Sequence, residues 1–349
     1  MATTGLRLAV FPPDDGRNPY HRQLHAALAR RDVRIVPTAG LRRGWVRRAA
    51  AHVDAVHLHW LEFLYHAEGA ALMHKRAGSL LMALRALRRA NVRVVWTVHN
   101  LRPHELRFPW LHDATTRAAL RASDALVVHS GHAARRLAAS VELPHAPTVL
   151  PHPHYIGFYP QARRTRAQTR AALGIPDRAF TYLVFGQIRR YKRVPETIAA
   201  FRRLADPDAR LVVAGRPKDA RLAGEIVAAR AGDDRVRLRL EHVPDEDVAE
   251  LHAAADAAVL HYRDVFSSGA LLLALSLGLP VVAPADTTAT ELAPAPAIEA
   301  YTGDDPLPAL AAVRTGAPAE RRAAALAAAW SYPVEAMADG LMRLYRSRP

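Results

Sequence analysis

Short continuous apolar runs, each followed by a longer Ala/Leu/Arg segment, recur along the whole chain, and this alternation limits the fold more than any other feature. In the first half the runs are LRLAVF (6–11), VRIVPT (33–38), DAVHLHW (54–60), VRVVWTVHN (92–100) and DALVVHS (124–130). Strands that are apolar on both faces belong in a parallel sheet covered by helices on either side. PYHRQLHAALARR (19–31), between the first two runs, has helical spacing. The pattern stops at LPHPHYIGFYP (150–160), a proline- and aromatic-rich stretch with no period, which reads as a linker. It then restarts with TYLVFG (181–186), ARLVVAG (209–215), VRLRLEHV (236–243), DAAVLHY (256–262) and PVVAP (280–284). Helices are expected near 194–205, 217–231 and 245–254, with another after Ser268. The chain therefore reads as α/β, two Rossmann-like doubly wound parallel-sheet domains. A length of 349 residues suits two domains. The expected divisions are a first domain 1–150, a linker 151–164, a second domain 165–325 and a C-terminal helix 326–349. That tail breaks at Pro333 and is expected to pack back on the first domain. Ligands of such sheets bind at the C-terminal strand ends, so a cleft between facing domains is expected.

Composition narrows the chemistry. There are no cysteines, which excludes disulfides and thiolate metal sites and suits the cytoplasm. MATTGLRLAVFPPDDG reads as a first strand rather than a signal peptide. No apolar stretch is long enough for a spanning helix. The net charge is +15, and residues 1–160 hold 22 Lys+Arg against 10 Asp+Glu. A field of that sign favours an anionic partner: nucleic acid, a membrane surface or a phosphorylated substrate. Binding of nucleic acid would interleave aromatics with the basic residues. Aromatics are only 7% and cluster at strand ends and in the linker, so no nucleic acid partner is expected.

Two loops of the second half carry phosphate chemistry. In FGQIRRYKRVPETIAAF (185–201) a strand ends at Gly186, and Arg189, Arg190, Lys192 and Arg193 crowd the start of a helix. Cations at a helix N-terminus are electrostatically misplaced unless an anion lies among them. In HYRDVFSSGALLLALSLGLPVVAP (261–284), Ser267, Ser268 and Gly269 open an apolar helix. One reading is a serine cap; the other is a cradle of free amides for phosphate. Both loops end strands of one sheet, one supplying cations and the other amides.

At this point the chain resembles GT-B glycosyltransferases of the large family-4-like group, and bacterial polysaccharide transferases in particular. FGQIRRYKR resembles their phosphate-binding strand–loop–helix, and EHVPDEDVAELHAAADAAVLHYRDVFSSGALLLALSLGLPVVAP resembles their donor segment. NPYHRQL, HLHW, WTVHNLRPHE and DALVVHS extend the likeness over the first half. Two positions depart from the pattern. Gln187 stands where the family has arginine, leaving Arg189 or Arg190 to take that role. Of two family glutamates eight residues apart, the first falls at Asp264 and the second at Leu272 or Leu273.

The resemblance implies a hexosyltransferase that moves a sugar from a nucleoside-diphosphate sugar to a hydroxyl of an acceptor glycan, lipid-linked in polysaccharide synthesis. It implies no cofactor and no metal for the chemistry. The donor set is Gly186, Arg189, Arg190, Lys192, His242, Val243, Tyr262, Asp264, Ser267, Ser268 and Gly269. In the first half, His57, His59, Glu62, His99, Asn100, His104, Glu105 and His129 fall at expected C-terminal strand ends. His99, Glu105 and Glu62 are the catalytic candidates, and Asp15, Asn18, Tyr20 and His59 the acceptor-side ones. Other readings are a natural-product glycosyltransferase with a small soluble acceptor, and a GT-B relative without transferase activity. EGAALMHKRAGSLLMALRALRRANV (68–92) and LRRGWVRRAA (41–50) are basic and partly apolar. They read either as ordinary core-facing helices with solvated backs or as a peripheral contact with an anionic membrane at its inner face.

Overall fold

The computed structural model describes residues 5–13, 16, 18–38, 40–102, 107–263 and 266–347. It divides into two compact units, residues 1–153 with 334–349, and residues 154–333. Each is built on a six-stranded sheet whose neighbouring strands all pair in parallel.

The first unit contains β1 (Leu6–Phe11), β2 (Val33–Val36), β3 (Ala55–Leu58), β4 (Arg93–Thr97), β5 (Ala125–Val128) and β6 (Thr148–Val149). Their order is β2-β1-β3-β4-β5-β6. After β1 the chain lays β2 on one side and β3 on the other, so the strand order reverses between β1 and β3. Strands β3 and β5 are buried at every position, as their unbroken apolar runs require. The helix Pro19–Ala29 starts where it does because Asn18 accepts a hydrogen bond from the Tyr20 amide at 3.1 Å and proline occupies the first turn. The helix Val334–Arg346 completes this unit, burying Met337, Leu341, Met342 and Tyr345 in its core. Leu150 fits against it because Gly340 has no Cβ to collide with.

The second unit contains β7 (Phe180–Phe185), β8 (Ala209–Ala214), β9 (Val236–Arg239), β10 (Ala257–Val259), β11 (Val281–Pro284) and β12 (Ile298–Tyr301), in the order β12-β11-β10-β7-β8-β9. Here the order reverses between β7 and β10. The edge strand β12 and the short β6 had no clear apolar run to announce them. Asp256 pins the start of β7, accepting from the Thr181 amide at 2.8 Å and from Arg170 at 2.8 Å.

The division differs from the expected one in two places. The helix Pro318–Trp330 stays with the second unit, because Ala325 and Ala329 are sealed in its core. The crossing comes at Pro333 rather than at 325. Within the expected linker, Tyr155 is buried in the second unit and its amide donates to Ser276 Oγ at 2.8 Å.

Candidate active site

In the second unit, the loops after β7 and β10 flank the reversal of strand order, the position at which open α/β sheets bind ligands. Gly186 leaves β7 with φ +97°, and Gly215 ends β8 with φ +148°. A Cβ at Gly215 would overlap the Gly186 carbonyl, so the two chains pass this closely only with glycine there. Lys192 lies at the end of a short 3₁₀ turn, Arg190–Lys192, and is only 7% exposed. Its Nζ approaches the Phe185 carbonyl at 3.5 Å and stands 5.3 Å from the ring centre of Tyr262, from the loop after β10. Among the described residues it has no carboxylate partner. Burial, with Arg189 adding repulsion, pushes its pKa down to about 8. Tyr262 is buried and its hydroxyl has no hydrogen-bond partner among the described residues. The Arg263 amide donates to the Tyr191 carbonyl at 2.9 Å, tying the two loops together.

The other cations of this loop differ. Arg190 forms a two-pronged pair with Glu225 at 2.8 and 3.0 Å, and Arg193 pairs with Asp304 at 2.8 Å. Among the described residues the Arg189 guanidinium donates to a neutral amide, the Gln187 Oε1 at 3.1 Å, and to no carboxylate. The helix Gly269–Ser276 is capped by Ser268, whose Oγ accepts from the Leu271 amide at 3.2 Å. Ser267 and Gly269 are half-buried beside it. His242 is exposed and Val243 is in the core. Both follow β9, two strands from β7, and Val243 belongs to the same core cluster as Tyr262. Asp264 lies outside the described residues.

In the first unit, a cluster of aromatic rings gathers behind the loops after β1, β3 and β4. Tyr20 sits at its centre, 5.2 Å from His99 and 5.0 Å from His152, ring centre to ring centre. His59 Nδ1 and His99 Nε2 are hydrogen-bonded at 2.9 Å, and Trp60 stacks on His99 at 4.2 Å. His57 is held between Thr97 Oγ1 at 2.8 Å and the Tyr345 hydroxyl at 2.6 Å. His129 Nδ1 donates to the Leu150 carbonyl at 2.9 Å. Burial keeps these imidazoles neutral: it pushes His129 to about 4 and His152 to about 3, and drives His57, His59 and His99 well below their usual value. Glu62, in the turn after β3, is half-buried, and burial raises its pKa. Asn100 is half-buried at the end of the β4 segment. Asn18 is engaged as a helix cap. Asp15, His104 and Glu105 lie outside the described residues.

Among the described residues no group of three or more His, Asp or Glu side chains is arranged to hold a metal ion. Of the two Asp-x-Asp triplets, Asp206 pairs with Arg314 and Asp208 with Arg178, while Asp247 pairs with Arg239. No helix among the described residues is long and apolar enough to cross a membrane. Four residues that shape these sites escape a reading of the sequence: Tyr191, Gly215, Trp60 and Tyr345. A glycine closing an apolar strand is a signal that could have found Gly215. Tyr345 meets His57 across 288 positions of chain, and nothing local marks it.

Comparison with known proteins agrees with this fold. Residues 165–294 match the family described as glycosyl transferases group 1. The GDP-mannose:glycolipid 4-beta-D-mannosyltransferase of Xanthomonas campestris pv. campestris is 33% identical over 280 residues, covering 78% of this chain and 71% of that protein. Among solved structures, sucrose-phosphate synthase from Thermosynechococcus elongatus superposes with a TM-score of 0.72 at 18% identity, covering 98% of each chain. Anabaena HepE in complex with UDP-glucose gives 0.71 at 14% identity, covering 97% of this chain and 98% of that one. These two likenesses establish the GT-B fold.

Proposed function

The chain belongs to the group 1 glycosyltransferases, enzymes of GT-B fold that use nucleoside-diphosphate sugars, and from that premise we propose that it moves mannose from GDP-mannose to a hydroxyl of a lipid-linked glycan. The sugar and acceptor follow the Xanthomonas relative. GDP-mannose carries its sugar in α linkage, so a β product, as in that relative's name, requires inversion.

Lys192 is the observation that carries the donor half of this reading. A buried ammonium with no counter-charge among the described residues costs free energy until an anion arrives. The donor diphosphate supplies that anion, held by Lys192, by Arg189 and by the free amides at Ser268 and Gly269. Negative charge grows on this group as the glycosidic bond breaks, so a fixed cation and fixed amides lower the barrier. Arg190 is engaged by Glu225 and takes no part. Neutralisation by these groups needs no metal.

Inversion also needs a base on the acceptor hydroxyl. Glu62 is the described carboxylate best suited to it, because its raised pKa makes the ionised form a stronger base. His99, neutral and fixed by His59 and Trp60, suits a hydrogen bond to a sugar hydroxyl.

The test is transfer from GDP-mannose to a lipid-linked oligosaccharide in detergent, with the product linkage read by NMR. The expected result is a β-mannoside, formed at an undiminished rate in EDTA. Loss of activity in EDTA restored by a divalent cation would overturn the metal-free assignment. Mannosylation of small soluble acceptors alone would favour the natural-product reading.

A further inference from the structure

A cavity of ≈ 560 Å³ opens in the first unit between the helices Arg43–Ala49 and Ala70–Arg89. Arg43 and Arg47 line it from one helix, and Arg85 and Arg89 from the other. Each pair is spaced four residues apart, one helical turn, so each helix presents two like charges on one face. Like charges at this spacing oppose helix formation. Nothing offsets them locally: no Asp or Glu occurs between Val33 and Val53, or between Gly69 and Asn91. Among the described residues none of the four arginines forms an ion pair. The floor is apolar, with Val46 buried and Met82 48% exposed.

Its place in the fold separates it from the sites above. Both helices run back from the C-terminal edge of the sheet toward the starts of β3 and β4. Arg47 and Arg89 stand in their last turns, and Arg85 lies one turn before Arg89. The candidate acceptor-side residues lie at the opposite edge of this sheet.

We propose that this groove binds the phosphate headgroup of an anionic membrane lipid, with the arginines on the phosphate and the glycerol and first chain carbons on Met82 and Val46. The planar guanidinium fork matches phosphate oxygens two at a time. The exposed Met82 favours an amphiphile over a free anion, since inorganic phosphate would leave it in water. The groove would hold the enzyme on the bilayer, and only the benefit of such anchoring rests on the lipid-linked acceptor proposed above.

Flotation of the full chain with lipid vesicles tests the groove without any donor or acceptor. Wild type should bind phosphatidylcholine vesicles containing phosphatidylglycerol and ignore pure phosphatidylcholine. Arg47→Gln with Arg85→Gln should weaken binding about tenfold or more, since each basic group near an anionic surface contributes about 1 kcal/mol. Arg117→Gln with Arg121→Gln removes the same charge from another helix of this unit and should change binding less than about twofold. Met82→Asp, at an exposed position, should also weaken it. Equal losses for both double variants would mean a diffuse field and overturn the groove. So would equal binding to both kinds of vesicle, or displacement by inorganic phosphate at matched ionic strength. Transfer to detergent-solubilised acceptor should survive Arg47→Gln with Arg85→Gln, so failure of the groove and failure of the glycosyltransferase reading are read separately.

Discussion

At the scale of single residues, burial sets the protonation states on which the two halves of the chemistry rest. In the first unit the imidazoles are buried and neutral. His129 titrates near 4 and His152 near 3, against about 6.5 in an unfolded chain. The folded pKa is the lower one, so the unfolded state takes up more protons as pH falls. Stability is therefore full above about 6.5 and is lost as pH drops toward the folded values. Between pH 7 and 5 each of these two should cost about 2 kcal/mol. Chemical denaturation followed at pH 7, 6 and 5 checks this: the unfolding free energy should fall steeply, and less so in His129→Gln. A flat profile would mean that the cluster is not neutral at pH 7. His57, His59, His99 and His129 were visible in the sequence as histidines at strand ends. Their engagement with one another was not, because Tyr20, Trp60, His152 and Tyr345 come from four distant segments.

At the scale of elements, the two readings of the SSG turn separate into different atoms. Ser268 Oγ caps the helix Gly269–Ser276 by accepting from the Leu271 amide, so the hydroxyl is structural. The amides ahead of that bond are the ones left for an anion. Ser268→Ala should therefore lower stability by about 1 kcal/mol, seen as an earlier denaturation midpoint. Affinity for GDP should change far less than stability does; a large loss of affinity with unchanged stability would place the hydroxyl on the ligand. Elements of this kind were legible because period and punctuation agree: DEDVAELHAA begins and ends where the spacing and flanking residues put it. β6 and β12 were not, since two or four residues on a sheet margin carry too little apolar pattern. The expected boundary at 325 cut through the helix Pro318–Trp330, because its alanines signal helix without signalling which core its last turn fills.

At the scale of the whole molecule, each sheet reverses its strand order once, between β1 and β3 and between β7 and β10. Candidate groups collect beside both reversals. Alternation of strands and helices made the doubly wound architecture readable. Strand order was not readable, and it is strand order that sets Lys192 beside Tyr262 and leaves His242 two strands away. The central claim is that Lys192 receives the donor diphosphate, and calorimetric titration of GDP into wild type and Lys192→Ala at pH 7 and pH 9 tests it most directly. At pH 7 the ammonium is mostly charged, and its loss should weaken binding about ten- to hundred-fold, the worth of a hydrogen bond to a charged group. Wild type should itself lose roughly tenfold at pH 9, one unit above the lysine's value of about 8, while the variant stays flat. Equal affinity in the two proteins at pH 7, with the same response to pH, would contradict the account.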